Sequence, residues 1–320
     1  MTHCDQQSDR TVTRSKPDPA WKACSPQVSH PDDSLFIYYL QGRVQPDLFR
    51  DHSGFLGTWQ EDDLSFLFFA RSARDAVLKM SAEEPGISFI EEFQTTYGDW
   101  QGGAVTGFRV GCLTFCPPWE EPAGPQASTV LRLDPGVVFG TGLHATTLDC
   151  LRALQGLSGA TPPSTVLDLG TGSGVLALAA AALGAGRVLA VDLNPLAVRT
   201  AAANIALNRL EQRVLPVRAR ADQALQLPAD LVLANIHFDV LQDLVTKPAF
   251  AAKERFILSG LLSRQGETIR DRLHSAGARI ERSWLSPDGW ATIVGRNDSS
   301  RHQGGGLRGH GPDWEASPES

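Results

Sequence analysis

The chain has 320 residues, 42% of them hydrophobic and 20% charged, which is ordinary for globular protein and enough for two compact units. A net charge of −7, with 29 scattered basic residues, excludes a general electrostatic hold on nucleic acid or anionic lipid. The longest apolar run, 175–185, is about half of a membrane span, and the N-terminus lacks the apolar core of a secretory signal. The expectation is therefore a cytoplasmic protein without membrane contact.

In chain order, residues 1–32 are rich in Ser, Asp, Pro, Gln and Thr and are expected to be disordered. Residues 33–100 read as a small α+β unit. Its strands are 35–40 (LFIYYL), 64–70 (LSFLFFA) and 87–93 (ISFIEEF). A helix starts near Arg71, with Ala73, Val77 and Met80 at helical spacing. Residues 101–127 read as a linker with a strand inside it, its boundary marked by Pro117, Pro118, Pro122 and Pro125. Five cysteines (Cys4, Cys24, Cys112, Cys116 and Cys150) are odd in number and irregular in spacing, which suggests neither a disulfide framework nor a zinc site. Cys112 and Cys116 are expected as buried structural thiols in a strand, and no metal is expected.

From Ser128 to Asn297 the pattern becomes strand–helix alternation. Strands are expected at 166–169, 188–191, 214–217, 231–234 and 256–258. Helices are expected at 175–184, 195–207, 238–252 and 262–275. Segments 279–284 and 290–295 read as a closing antiparallel pair. This spacing predicts an α/β fold with a parallel sheet covered by helices on both faces. Residues 298–320 read as a disordered tail.

The chemistry gathers at strand ends. Asp168-Leu-Gly170-Thr-Gly172-Ser-Gly174 joins the first strand of the alternating region to its helix. Glycines allow a tight turn and close approach of a ligand, and the helix N-terminus offers unpaired N–H groups. A dinucleotide fingerprint would need a third glycine at position 175, where Val175 stands. The loop suits a ligand without a pyrophosphate, such as the methionine part of S-adenosylmethionine. Asp192 ends the next strand, placed to accept hydrogen bonds from both ribose hydroxyls of an adenosine; the plainer reading is a cap for the helix from Pro195. Asn235 ends the strand LVLAN and should face the crevice; the plainer reading is a turn residue. Asn-Ile-His-Phe in place of Asn-Pro-Pro-aromatic argues against a nucleic-acid base as substrate. Asp222 is a weaker candidate, for the adenine amino group.

Residues 134–147, DPGVVFGTGLHATT, read as an ordered loop feeding a helix with Leu148, Leu151 and Leu154 on one face. This motif, followed by VLDLGTGSGVLALAAAALGA, VLAVDLNPLAV, LVLANI and ILSGLL, closely resembles the bacterial ribosomal protein L11 methyltransferase family, in order from about Cys116 to Arg296. The resemblance implies a Rossmann-like class I methyltransferase fold and S-adenosyl-L-methionine as cofactor, contacted at Thr147, Gly170, Asp192 and Asn235. It also implies a small N-terminal domain that recognises a ribosomal protein, with methylation of lysine side chains or an N-terminal amine of that substrate. Neither His144 nor His237 is assigned as a base; loop hydrogen bonding or packing accounts for both. Three other readings stay open. They are a lysine methyltransferase for another protein or a small amine, a non-catalytic S-adenosylmethionine-binding module, and a nicotinamide dehydrogenase, which Val175 disfavours.

Overall fold

The computed structural model describes residues 30–45, 48–103, 105–122, 128–138, 140–157 and 161–297, with the backbone of Glu315–Ala316. The disorder expected for 1–32 and 298–320 falls outside the described residues, except at 30–32 and at 315–316. There Glu315–Ala316 pairs in parallel with Trp284 and Leu285.

The first unit is an antiparallel sheet built from β1 (Ser34–Gln41), β2 (Phe55–Glu61), β3 (Leu64–Phe69) and β4 (Ser88–Thr96), in the order β2-β3-β1-β4, with helix α1 (Arg74–Glu83). One face packs under α1 through Tyr38, Leu40, Leu67, Phe69, Val77 and Met80. The other carries Leu35, Ile37 and Phe68 against Val137, Val138, Leu196 and Ala197 of the larger unit. Burial on both faces is why β1 reads as a continuous apolar run, not an alternating one. Strand β2 was not expected from the sequence. Gly57, Thr58 and Gln60 blur its period, and its register with β3 shifts between Phe55 and Gly57.

A one-turn helix, α2 (Tyr97–Trp100), follows, capped by Thr96 Oγ1, which accepts from Asp99 N at 3.1 Å. The stretch read as a linker then carries β5 (Phe108–Val110) and β6 (Leu113–Cys116). β6 pairs antiparallel with β5 and parallel with β7 (Thr129–Arg132). Leu113 and Phe115 belong to the core of the larger unit, beside Leu151 and Leu178. Cys116 is buried as expected; Cys112 is not. It sits in the β5–β6 turn and is exposed, with its thiol donating to Gln155 Oε1 at 3.3 Å.

The larger unit runs α3 (Ala145–Leu157), β8 (Thr165–Leu169), α4 (Val175–Ala182), β9 (Arg187–Asp192), α5 (Pro195–Leu207), β10 (Val214–Arg218), α6 (Ala221–Ala224), β11 (Leu231–Asn235), α7 (Phe238–Leu244), α8 (Pro248–Ala251), β12 (Arg255–Leu262), α9 (Ser263–Ser275), β13 (Ala278–Leu285), β14 (Trp290–Asn297) and β15 (Glu315–Ala316). The sheet order is β10-β9-β8-β11-β12-β14-β13-β15; the first five strands are parallel, and β14 is antiparallel to both β12 and β13. This is the expected α/β class, Rossmann-like with a closing antiparallel pair, plus a small N-terminal α+β unit. The single helix expected over 238–252 is two, split at Pro248, whose missing N–H suits a helix start and not a helix interior.

Helix α4 is apolar all round, and its residues Val175–Ala181 are buried. One side lies on β8 and β9, and another meets β7 of the small sheet. An alanine-rich surface is what lets the layers approach so closely. Chain order reverses at β8, with β9 on one side and β11 on the other. The loops leaving β8 and β11 therefore diverge and open a crevice at the strand C-termini. Among the described residues no helix is long and apolar enough to cross a membrane.

Candidate functional site

The crevice is built from four chain segments. The loop after β8 carries Gly170, Gly172 and Gly174, all in the left-handed region, with φ of 74°, 56° and 88°. Gly170 has a second reason to be glycine. A Cβ there would lie 2.1 Å from Ile236 Cγ2, so the loop is pressed against the residue that follows Asn235.

Four N–H groups of this loop are engaged within the protein. Gly170 N and Thr171 N both donate to Val191 O, at 2.8 and 2.9 Å, and Gly174 N donates to Thr171 O at 2.9 Å. Gly172 N donates to Asp192 Oδ2 at 3.1 Å. The Gly170, Thr171 and Gly172 amides hold the loop to the end of β9. A loop with its donors so committed is a poor phosphate cradle, in accord with the missing third glycine.

Under the loop lies Asp168, 1% exposed. Its Oδ2 accepts from Thr171 Oγ1 at 2.6 Å, and its carboxyl also takes the Ala177 N–H in the first turn of α4. Burial, with the nearby Asp192 charge adding to it, pushes its pKa up to about 7. The residue ties loop to helix, a role the sequence reading left unassigned.

Asp192 is half-buried and turned onto the loop. Its Oδ1 accepts from Asn194 N at 2.9 Å while Oδ2 takes Gly172 N. The helix-cap reading of Asp192 is excluded, because α5 is capped by Asn194, whose Oδ1 accepts from Leu196 N at 2.9 Å. Desolvation by burial raises the Asp192 pKa, against backbone hydrogen bonds that lower it. A carboxylate has about four acceptor positions. The Asn194, Gly172 and Leu193 N–H groups leave an acceptor position open for a ribose hydroxyl.

Across the crevice, Asn235 Nδ2 donates to Thr147 Oγ1 at 3.2 Å, joining the end of β11 to the first turn of α3. Gly260, φ 82°, lies at an irregularity in β12; a Cβ there would fall 2.6 Å from Ile236 O and 3.2 Å from Asn235 Oδ1. The structure thus joins Asp192 to the Gly170–Gly172 loop and Thr147 to Asn235. The Gly170–Ile236 contact links the two pairs.

The other sequence candidates have local roles. Asp222 is ion-paired with Arg220 at 3.0 Å, which lowers its pKa. His237 caps α7 and lies 3.3 Å from Asp239, well exposed. His144 Nδ1 is 2.8 Å from Thr146 Oγ1, with its ring edge-on to Trp290 at 5.0 Å. Among the described residues no group of three or more His, Cys, Asp or Glu is arranged to hold a metal.

The 134–147 segment docks on this site through residues the sequence reading missed. Ser173 Oγ donates to Gly140 O at 2.6 Å. Asn204 is fully buried. Its Oδ1 accepts from Asp134 N at 2.8 Å, and its Nδ2 donates to Asp134 O and Ser173 O at 2.7 and 2.8 Å. One turn on, Asn208 makes the same pair with Arg132, at 2.8 and 2.7 Å. The two side-chain amides act as a strand edge for the loop. Their signal in the sequence was two Asn four residues apart in an alanine helix.

A family model described as ribosomal protein L11 methyltransferase (PrmA) matches residues 76–298. The chain is 41% identical over 196 residues to a ribosomal protein L11 methyltransferase of Symbiobacterium thermophilum, covering 58% of this chain and 60% of that protein. It is 38% identical over 189 residues to the protein of the same name from Bacillus cereus, covering 58% and 59%. The chain thus spans about 60% of the length of the curated relatives it matches. A solved structure of a ribosomal protein L11 methylase from Lactobacillus delbrueckii subsp. bulgaricus is similar, with 28% identity and a TM-score of 0.53, over 60% of this chain and 99% of that one.

Proposed function

The chain belongs to the ribosomal protein L11 methyltransferase (PrmA) family, and from that premise we propose that it transfers a methyl group from S-adenosylmethionine to amino groups of a large-subunit ribosomal protein. The observation that carries the cofactor is the Asp192 carboxylate, held to the glycine loop by the Gly172 N–H and on its own side by the Asn194 N–H, with acceptor capacity to spare. In this reading Asp192 takes the ribose hydroxyls, the Gly170–Gly174 turn gives the amino-acid part close access to backbone, and Thr147 with Asn235 closes the opposite wall. A phosphate-bearing dinucleotide suits the same loop poorly, since four of its amides are already engaged. The ribosomal substrate rests on the relatives, which carry that name.

The bound cofactor supplies a methyl group already activated on a sulfonium, so the protein has mainly to position the reactants. Asn235 is suited to that. Its Nδ2 is engaged with Thr147, which fixes the amide plane and leaves Oδ1 as the acceptor for an incoming amine N–H. The attacking amine must be neutral, and an unperturbed lysine has a pKa of about 10.4. Desolvation in the crevice is what favours the uncharged form. Neither His144 nor His237 is needed as a base.

Two measurements test this. Calorimetry with S-adenosylmethionine should give binding that Asp192→Ala weakens by about 1.5–3 kcal/mol, roughly ten- to more than a hundredfold. Purified large ribosomal subunits should take up labelled methyl groups into a protein. Label in RNA alone, or in nothing, refutes the substrate; unchanged affinity in the Asp192 variant refutes the ribose role.

A further inference from the structure

The N-terminal unit does more than sit beside the catalytic one. Tyr97, in α2, is 2% exposed, and its hydroxyl donates to Asp134 Oδ1 at 2.6 Å. The same oxygen accepts from Gly136 N at 2.9 Å. Trp100 Nε1, from the last residue of α2, donates to Val137 O at 3.2 Å, and Gln101 Nε2 donates to Gly136 O. Three side chains from a single turn and its cap thus grip three positions of the 134–137 segment. The far side of that segment is held by Asn204, which also holds Ser173 of the glycine loop. The sequence of contacts is continuous from α2 through Asp134 and Asn204 to the turn at Gly172.

A second contact reaches the start of α5, beside Asp192. Leu196 and Ala197, at the start of α5, pack under Leu35, Ile37 and Phe68 of the N-terminal sheet. Arg199 donates to Leu56 O at 3.2 Å. The Leu196 N–H is the one that Asn194 caps, and Asn194 N is bound to Asp192. The N-terminal unit therefore touches the start of α5, beside the residue bound to Asp192, as well as the 134–137 segment. Tyr97 is held as a neutral donor: burial, reinforced by the Asp134 charge, raises its pKa far beyond any working pH.

We propose that α2 clamps the 134–138 segment against the glycine loop, making Tyr97 a positioning residue for donor binding although it lies in the N-terminal unit. This rests on the S-adenosylmethionine reading above. It makes the N-terminal unit part of the donor site, so that whatever shifts this unit also shifts the affinity for the donor.

The test uses the full chain and S-adenosylmethionine itself. Tyr97→Phe removes one hydroxyl. It should weaken donor binding about five- to twentyfold, with KM for the donor rising in step and kcat at saturating donor within about twofold. Asp134→Asn keeps an oxygen that can accept the phenol proton and should stay within about threefold of wild type. Met80→Ala opens the α1 core on the opposite face of the N-terminal sheet; it should lower the Tm and leave donor affinity alone. Wild-type affinity in Tyr97→Phe overturns the clamp. So does a loss in Met80→Ala as large as that in Tyr97→Phe, since affinity would then merely follow stability. If the wild-type chain fails to bind the donor, the proposed function falls and this inference with it; if it binds and Tyr97→Phe matches it, only this inference falls.

Discussion

Replacing Gly170 by alanine tests the geometry of the crevice without any ligand. Two costs arise there. The residue has φ 74°, and holding an L-residue in the left-handed region costs about 1–2 kcal/mol. The new methyl would lie 2.1 Å from Ile236 Cγ2, where ordinary contact needs about 3.5–4.0 Å. Ile236 has to move by well over an ångström, an overpacking cost of about 1–3 kcal/mol. Together the Gly170→Ala variant should lose about 2–5 kcal/mol of stability. Urea unfolding reads this as a lower midpoint at unchanged slope. Adding Ile236→Ala removes the collision but not the backbone strain. The double variant should therefore be less destabilised than the two single changes imply, with a coupling of about 1–2 kcal/mol. A Gly170→Ala protein within about 0.5 kcal/mol of wild type, or strictly additive losses in the double variant, would refute the claim that the loop is pressed onto Ile236.

Asp168 gives a pH signature. Its pKa is about 7 in the folded protein, against an ordinary carboxylate value when unfolded, so between about pH 4 and 7 the folded state binds a proton that the unfolded state has released. Stability should fall as pH rises through that window, by at most about 4 kcal/mol from this group. Asp168→Asn should flatten that fall when unfolding is compared at pH 5 and pH 8; a variant whose stability falls as steeply as wild type refutes the assignment. Asn204→Ala strips partners from Asp134 N, Asp134 O and Ser173 O, and should cost about 2–5 kcal/mol in chemical denaturation. A loss under about 1 kcal/mol would show that those groups find other partners.

What could be read from the sequence was whatever is local. Strand–helix alternation, the Gly-rich turn and polar residues directly after apolar strands are all short-range patterns. In an open α/β sheet the strand C-termini meet at one crevice, so Asp192 and Asn235 could be placed there without knowing the contacts between them. The partners themselves were not legible. Tyr97 and Asp134 are 37 residues apart, Asp134 and Asn204 are 70 apart, and Thr147 and Asn235 are 88 apart. Strand β2 was missed for a related reason: Gly57, Thr58 and Gln60 do not alternate, and what makes the segment a strand is its pairing with β3. The tract YGDWQGG, read as the junction of the N-terminal unit and a linker, turned out to hold α2 and the residues that grip the 134–137 segment. Only pairing across the chain shows this, because Tyr, Trp and Gln beside glycines look alike in a linker and in a clamp.

One long-range contact did leave a local trace. Asparagine is a poor residue inside a helix, since its amide competes for backbone hydrogen bonds. In AAANIALN, Asn204 lies inside α5 and therefore requires a compensating partner, and Asn208, the C-cap one turn on, lies on the same face. The partner is the backbone of the 132–134 segment, which passes α5 at the edge of the small sheet, paired with β6 on one side and lacking a strand on the other. A fully buried Asn204 with every polar atom engaged is the physical solution. It follows that substituting either amide by an apolar residue of similar size should not rescue the fold, because the backbone groups opposite would remain buried and unpaired.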